Sequence, residues 1–165
     1  MAKAETEGAI TLSVLDRLID HEPGHHAEPP LTRAQSLRRL KGAVKRDLEW
    51  LLNTRRTIQE APPGAAELQR SLYHYGLPDF IGLSLRSTRD QQKLLKMIET
   101  TIAQFEPRLM SVRVRMEPLT ENVRLLRFVI EGLLRVDPAP ERVSFDTVLE
   151  LSSGRYQVMG EPGAR

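Results

Sequence analysis

Two glutamates and one arginine carry the strongest chemical suggestion in this 165-residue chain. Glu99 and Glu106 stand two helical turns apart, about 10 Å along a helix axis. Two carboxylates facing one way are the minimum of a glycosidase site, which also needs a sugar cleft between them. Aromatic residues make up only 5% of the chain and form no visible sugar platform. Glu106 belongs to Phe105-Glu106-Pro107-Arg108-Leu109, where a guanidinium follows the carboxylate by two positions. Read as structure, this is a helix-end ion pair, worth little if exposed. If buried, it must be well hydrogen-bonded, and deleting one partner costs about 3–5 kcal/mol. Read as recognition, Arg108 offers a planar fork to a partner's carboxylate or carbonyls. Both readings stand at this point. His21, His25 and His26 cluster beside Glu22, but in a Pro/Gly-rich stretch that gives zinc or nickel no fixed geometry, and His74 is the only other histidine. The chain has no cysteine, which excludes disulfides and thiolate metal sites. It also has no Gly-x-Ser-x-Gly elbow and no phosphate-cradling glycine loop. No catalytic residue, cofactor or metal is expected.

The elements that hold these residues follow from periodicity. Leu94, Ile98, Ile102 and Phe105 form one helical stripe, capped near Ser87 or Thr88. Pro107 ends that helix. Val112, Val114 and Met116 then alternate with Arg113 and Arg115, which is the period of a strand from about 111 to 117. Pro118 to Asn122 reads as a turn. Leu126, Phe128 and Ile130 share one strand face, and Val143, Phe145, Thr147 and Leu149 share another. Ser152-Ser153-Gly154 reads as a hairpin turn before a short strand through Tyr156 and Val158. Upstream, Leu37, Leu40, Val44, Leu48 and Leu51 predict a long helix from Arg33 to about Asn53, beginning near Thr32. Trp50 is expected to pack rather than bind a ligand. Ala65 to Tyr73 predicts a short helix ending near Gly76, and Leu77 to Ser84 an extended crossing. Leu12, Leu15, Leu18 and Ile19 predict a short amphipathic helix after Thr11 or Ser13, docked on the same domain or hooking another chain. Residues 1–9 read as disordered and 21–30 as a linker. The fold class is therefore α+β, with N-terminal helices packed on one face of a small C-terminal antiparallel sheet. The domain division is 1–30, a short helix and flexible linker, and 31–160, the folded domain.

At 40% hydrophobic and 28% charged, the composition is that of an ordinary soluble domain with a mostly aliphatic core. Charge is uneven: residues 1–30 carry two basic and six acidic groups, and residues 31–60 carry eight basic and three. Arg38, Arg39, Lys41, Lys45 and Arg46 line one helix face, either solvated or a basic contact surface. Nucleic acid is compatible with that face but not demanded by a net charge of +2. No apolar run approaches the roughly 20 residues that cross a bilayer, and the start of the chain does not read as a secretory signal. A cytoplasmic protein is the expectation.

Four blocks, in order, are familiar: Ser13-Val14-Leu15-Asp16-Arg17-Leu18, the stretch Val44 to Arg56, Ser71 to Asp79, and Phe105-Glu106-Pro107-Arg108-Leu109. Over about residues 10–159 the chain resembles the TssE subunit of bacterial type VI secretion baseplates. That family is shared with the wedge protein of contractile phage tails and is often labelled "lysozyme-like". The resemblance implies a structural subunit that joins the baseplate wedge to the contractile sheath and templates sheath assembly. Its sheet would receive strands from sheath subunits. The partner-binding residues the resemblance implies are Glu106, Pro107 and Arg108. The strand pattern adds Arg113 and Arg115, either an ordinary solvated face or a basic flank that tolerates an acidic partner, beside a sheet edge near 110–117, 123–132 or 142–150. The implied partners are wedge and sheath subunits, with no nucleic acid and no membrane insertion, and the implied place is the inner face of the cytoplasmic membrane. The alternative is a peptidoglycan hydrolase. The phage-lysozyme pattern of Glu, Asp nine positions on and Thr six further is met only by Glu7 and Asp16, and then fails at Glu22.

Overall fold

Pro107 divides the molecule's two kinds of structure, a helix that stops at Phe105 and a strand that starts at Leu109. The computed structural model describes residues 10–19, 31–59, 61–80, 82–84, 87–117 and 124–160. Its contacts group the chain into two compact units, one ending at Val44 and the other beginning at Lys45. The expected disordered start, the linker at 21–30 with its three histidines, and the turn at 118–122 lie outside the described residues.

The first unit holds helix α1 (Val14–Leu18) and the start of helix α2 (Arg33–Asn53). The Ser13 hydroxyl caps α1 by accepting from the Asp16 N–H. No residue of α1 is buried, and Val14, Leu15 and Leu18 are exposed. Thr32 and Gln35 form a capping box at the start of α2: Gln35 N–H donates to the Thr32 hydroxyl, and Thr32 N–H donates back to the Gln35 side chain.

In the second unit, α2 continues with Leu48, Leu51 and Leu52 buried. Helix α3 (Ala66–Arg70) and a 3-10 turn over Leu72–His74 replace the single short helix expected there. Ser71 interrupts them, its hydroxyl accepting from Tyr73 N–H. Gly76 lets the chain return against α2's end. Its φ is +107°, and a Cβ there would lie 2.4 Å from the Thr54 carbonyl oxygen. Leu77 N–H then donates to Thr54 O at 2.8 Å, and Arg56 N–H to Leu77 O at 2.9 Å.

Helix α4 (Thr88–Phe105) is capped by Ser87 and buries Leu94, Ile98, Thr101 and Ile102. Strands β1 (Leu109–Met116), β2 (Leu125–Leu134), β3 (Glu141–Glu150) and β4 (Arg155–Val158) form one antiparallel sheet in the order β1-β2-β3-β4. The buried face carries Val114, Leu126, Phe128, Ile130, Val143, Phe145, Leu149, Tyr156 and Val158, at the two-residue period the sequence predicted. This is an α+β fold with helices ahead of a four-stranded sheet. Trp50 departs from expectation: it is 56% exposed, with the Arg46 guanidinium 5.3 Å from its ring. Its position puts it outside the stripe of Leu48, Leu51 and Leu52, so the helix turns it outward.

Candidate functional site: the charged corner and the sheet edges

The end of α4 builds the corner. Glu106 N–H closes the last helical bond to Ile102 O at 2.8 Å, and Leu109 N–H returns to Glu106 O at 3.1 Å. Pro107 fits the second position of that turn because its ring presets φ. The turn folds Arg108 back onto Glu106. Arg108 Nε donates to Glu106 Oε1 at 2.6 Å and Nη2 donates to Oε2 at 2.5 Å, a bidentate pair. The same Nη2 donates to Asp47 Oδ2 at 2.5 Å, and Arg46 Nε donates to Asp47 Oδ1 at 2.9 Å. Two arginines and two carboxylates thus form one chain of charge, from α2 to the start of β1. The Glu106 side chain is 6% exposed and that of Arg108 is 25% exposed. Burial opposes the Arg108 charge, but the hydrogen bonds it donates to Glu106 and Asp47 outweigh burial and raise its pKa. The Tyr75 hydroxyl is also raised, first by burial and then by Asp47 and Glu106. Its ring meets Phe105 edge-on at 5.3 Å. Glu106 and Arg108 are therefore brought together, with Pro107 exposed on the corner.

The sheet edges are the second part. Glu117 N–H bonds Arg127 O across to β2, so the backbone groups of Val114 and Met116 face the outer side. Glu99 reaches from α4 to accept the Val114 N–H at 3.0 Å. On β1 the ladder slips between Met110 and Arg113, where Ser111 has φ +52°, a bulge opposite Gly132. A hollow of about 550 Å³ opens there, lined in part by Arg113, Glu131 and Arg142. Arg113 and Arg115 are exposed, and Arg115 pairs with Glu131 across the strands. Strand β2 is paired on both sides, so the stretch 123–132 is not an edge. Sequence spacing marks strands but not their order.

At the other margin, β4 is closed by α2. Asn53 and Tyr156 exchange two backbone-type hydrogen bonds, and Val158 N–H donates to Glu49 Oε2 at 3.2 Å. Strand β3 outruns β4, which pairs only with Thr147–Glu150. Met159 N–H takes the Asp146 carbonyl. Beyond it, the outward N–H and C=O of Ser144 and Arg142 meet no backbone partner among the described residues.

A carboxylate-pair enzyme finds no support here, because Glu99 is spent on Val114 and Glu106 on Arg108. No group of three or more His, Cys, Asp or Glu that could hold a metal occurs among the described residues. No helix among them is long and apolar enough to cross a membrane.

The baseplate wedge protein gp25 family matches residues 38–139, more than half of the chain. The chain belongs to that family. Membership makes it a phage-tail-like structural protein of a baseplate, with other baseplate subunits as neighbours. No curated protein and no solved structure matches it. The gp25-family match spans the corner, β1 and β2.

Sequence reasoning missed Asp47, Glu49 and Asn53. Asp47 did carry a signal: a carboxylate between Val44 and Leu51 on a buried stripe needs a partner. Its partner, however, lies 61 residues away.

Proposed function

We propose that this protein is a non-enzymatic baseplate subunit of a type VI secretion system, joining the wedge to the contractile sheath and templating sheath assembly. It would act in the cytoplasm, at the inner face of the cytoplasmic membrane. The observation that carries this reading is outward main chain without a backbone partner among the described residues at two places, Met116 on β1 and Arg142–Ser144 on β3. An extended segment of a sheath subunit adds to such an edge through backbone hydrogen bonds. Arg113 and Arg115 flank the β1 site and favour an acidic segment. Addition at β1 displaces Glu99 from Val114; addition at β3 displaces nothing described. The Glu106-Pro107-Arg108 corner serves by fixing β1 to α4 and α2, with Pro107 left to touch a wedge subunit.

The test uses proline at the outward amides. Met116→Pro and Ser144→Pro each remove an N–H that makes no ladder bond to β2. Copurification with wedge and sheath subunits is measured alongside circular dichroism. The expected result is a folded variant that keeps its wedge partners and loses sheath. Normal sheath assembly by both folded variants would refute the reading.

A further inference from the structure

We propose that the hollow beside His74 is a binding site for an acidic side chain of a partner protein. Two adjoining cavities of about 300 and 290 Å³ share Arg56, His74 and Gln104 in their walls. They lie between α4, from Lys93 to Phe105, and the segments that carry Arg56 and the 3-10 turn. Neither the corner nor the sheet edges use them.

Three observations point to an anion. Arg56, Lys93 and Lys96 line these cavities, and among the described residues no carboxylate does. Arg56 has no ion-pair partner among the described residues. His74 is 6% exposed, and neither Nδ1 nor Nε2 has a hydrogen-bond partner among the described residues. Buried polar atoms are almost always paired, so an imidazole with both nitrogens unmet marks a place for something further. Even a neutral imidazole carries one N–H donor that an anion can meet. Gln104 is held in place because its Nε2 donates to Gln69 O at 2.6 Å. Thr100 adds a hydroxyl to the wall.

The source of the anion follows from reach. The Lys93 and Lys96 side chains are 51% and 74% exposed, and their pairs with Asp90 and Glu99 are surface contacts one helical turn apart. Such pairs are weak and easily shared with an incoming carboxylate. A mouth of accessible ammonium groups over a guanidinium and an imidazole suits a side chain presented by another polypeptide. The hollow is separate from both sheet edges, so failure of the proline variants leaves its anion binding unaffected.

The probe is an acetylated, amidated hexaglutamate peptide, added to the full-length chain at 0.15 M salt, roughly the physiological strength. The His74 ring resonances are followed by NMR. Hexaglutamine and inorganic phosphate are the other arms. The expected result is a saturable His74 shift with hexaglutamate, weakened about tenfold by Arg56→Gln, on the order of 1.4 kcal/mol. Arg127→Gln, on the exposed face of β2, leaves it within about twofold. Absence of a saturable shift overturns the proposal, as does an equal response to hexaglutamine or an equal loss in Arg127→Gln. Tighter saturation by phosphate overturns it in favour of a free oxyanion. If Arg56→Gln fails to fold, Lys93→Gln combined with Lys96→Gln takes its place under the same outcomes.

Discussion

Asn53 treats Tyr156 as a neighbouring strand would: its Nδ2 donates to Tyr156 O and its Oδ1 accepts Tyr156 N–H, both at 2.8 Å. A carboxamide has the same donor and acceptor as a peptide group, so one side chain from α2 completes the edge of β4. The same Nδ2 also reaches Glu49 O at 2.8 Å. Asn53→Ala leaves both Tyr156 groups without a protein partner and is expected to cost about 1–3 kcal/mol. Asn53→Asp costs more, since it sets a carboxylate oxygen against the carbonyl oxygens of Tyr156 and Glu49. Urea denaturation of the two variants checks the order.

The charged corner predicts a strong asymmetry. Arg108→Ala leaves the buried Glu106 without its cation and Asp47 with Arg46 alone, and is expected to cost about 3–5 kcal/mol. Arg108→Met paired with Glu106→Gln recovers most of that loss, because no buried charge is then left alone. Thermal unfolding of the single and double variants tests this. Any loss of sheath assembly in Arg108→Ala must therefore be read beside its fold.

Tyr156 gives a pH signature. Its hydroxyl is buried without a hydrogen-bond partner, and burial raises its pKa well above the ordinary 10.0 despite the opposing pull of Arg55. A raised phenol holds its proton longer in the folded state than in the unfolded one. Stability is therefore complete below pH 10 and falls as pH rises beyond it, and Tyr75 contributes in the same sense. Tyr156→Phe is expected to fold with nearly unchanged stability at pH 7 and to lose less of it above pH 10. Chemical denaturation across that range decides the matter.

Gly76→Ala is expected to be severe. The Cβ would sit 2.4 Å from the Thr54 carbonyl oxygen, and the backbone there has φ +107°. Moving that carbonyl breaks the bond from Leu77 N–H. A loss of about 3 kcal/mol or more is the expected outcome, read as a fall in melting temperature. Gly42, where a Cβ meets nothing, is the control.

Much of this architecture was legible because it is periodic. The stripe from Leu94 to Phe105 gave the end of α4, and of the two candidate caps, Ser87 or Thr88, Ser87 is the one used. The alternation in 126–130 and 143–149 gave the buried sheet face. What could not be read is pairing at long range. Nothing local says that Arg108 meets Asp47, that Glu99 caps Val114, or that Asn53 takes Tyr156. Trp50 was misjudged for a related reason: its type suggests a core, while its phase on α2 points outward. The strand order was equally hidden, so 123–132 looked as free as its neighbours until β3 was seen beside it.

Among the described residues β4 covers only Thr147–Glu150 of β3, and Met159, clasped to Asp146, bounds the margin that remains. A strand added along Arg142 and Ser144, as proposed above, would be halted there. In a sheet, a slip of one residue turns every side chain to the opposite face. An end-stop of this kind sets the phase of an arriving strand by geometry, leaving its side chains free to vary.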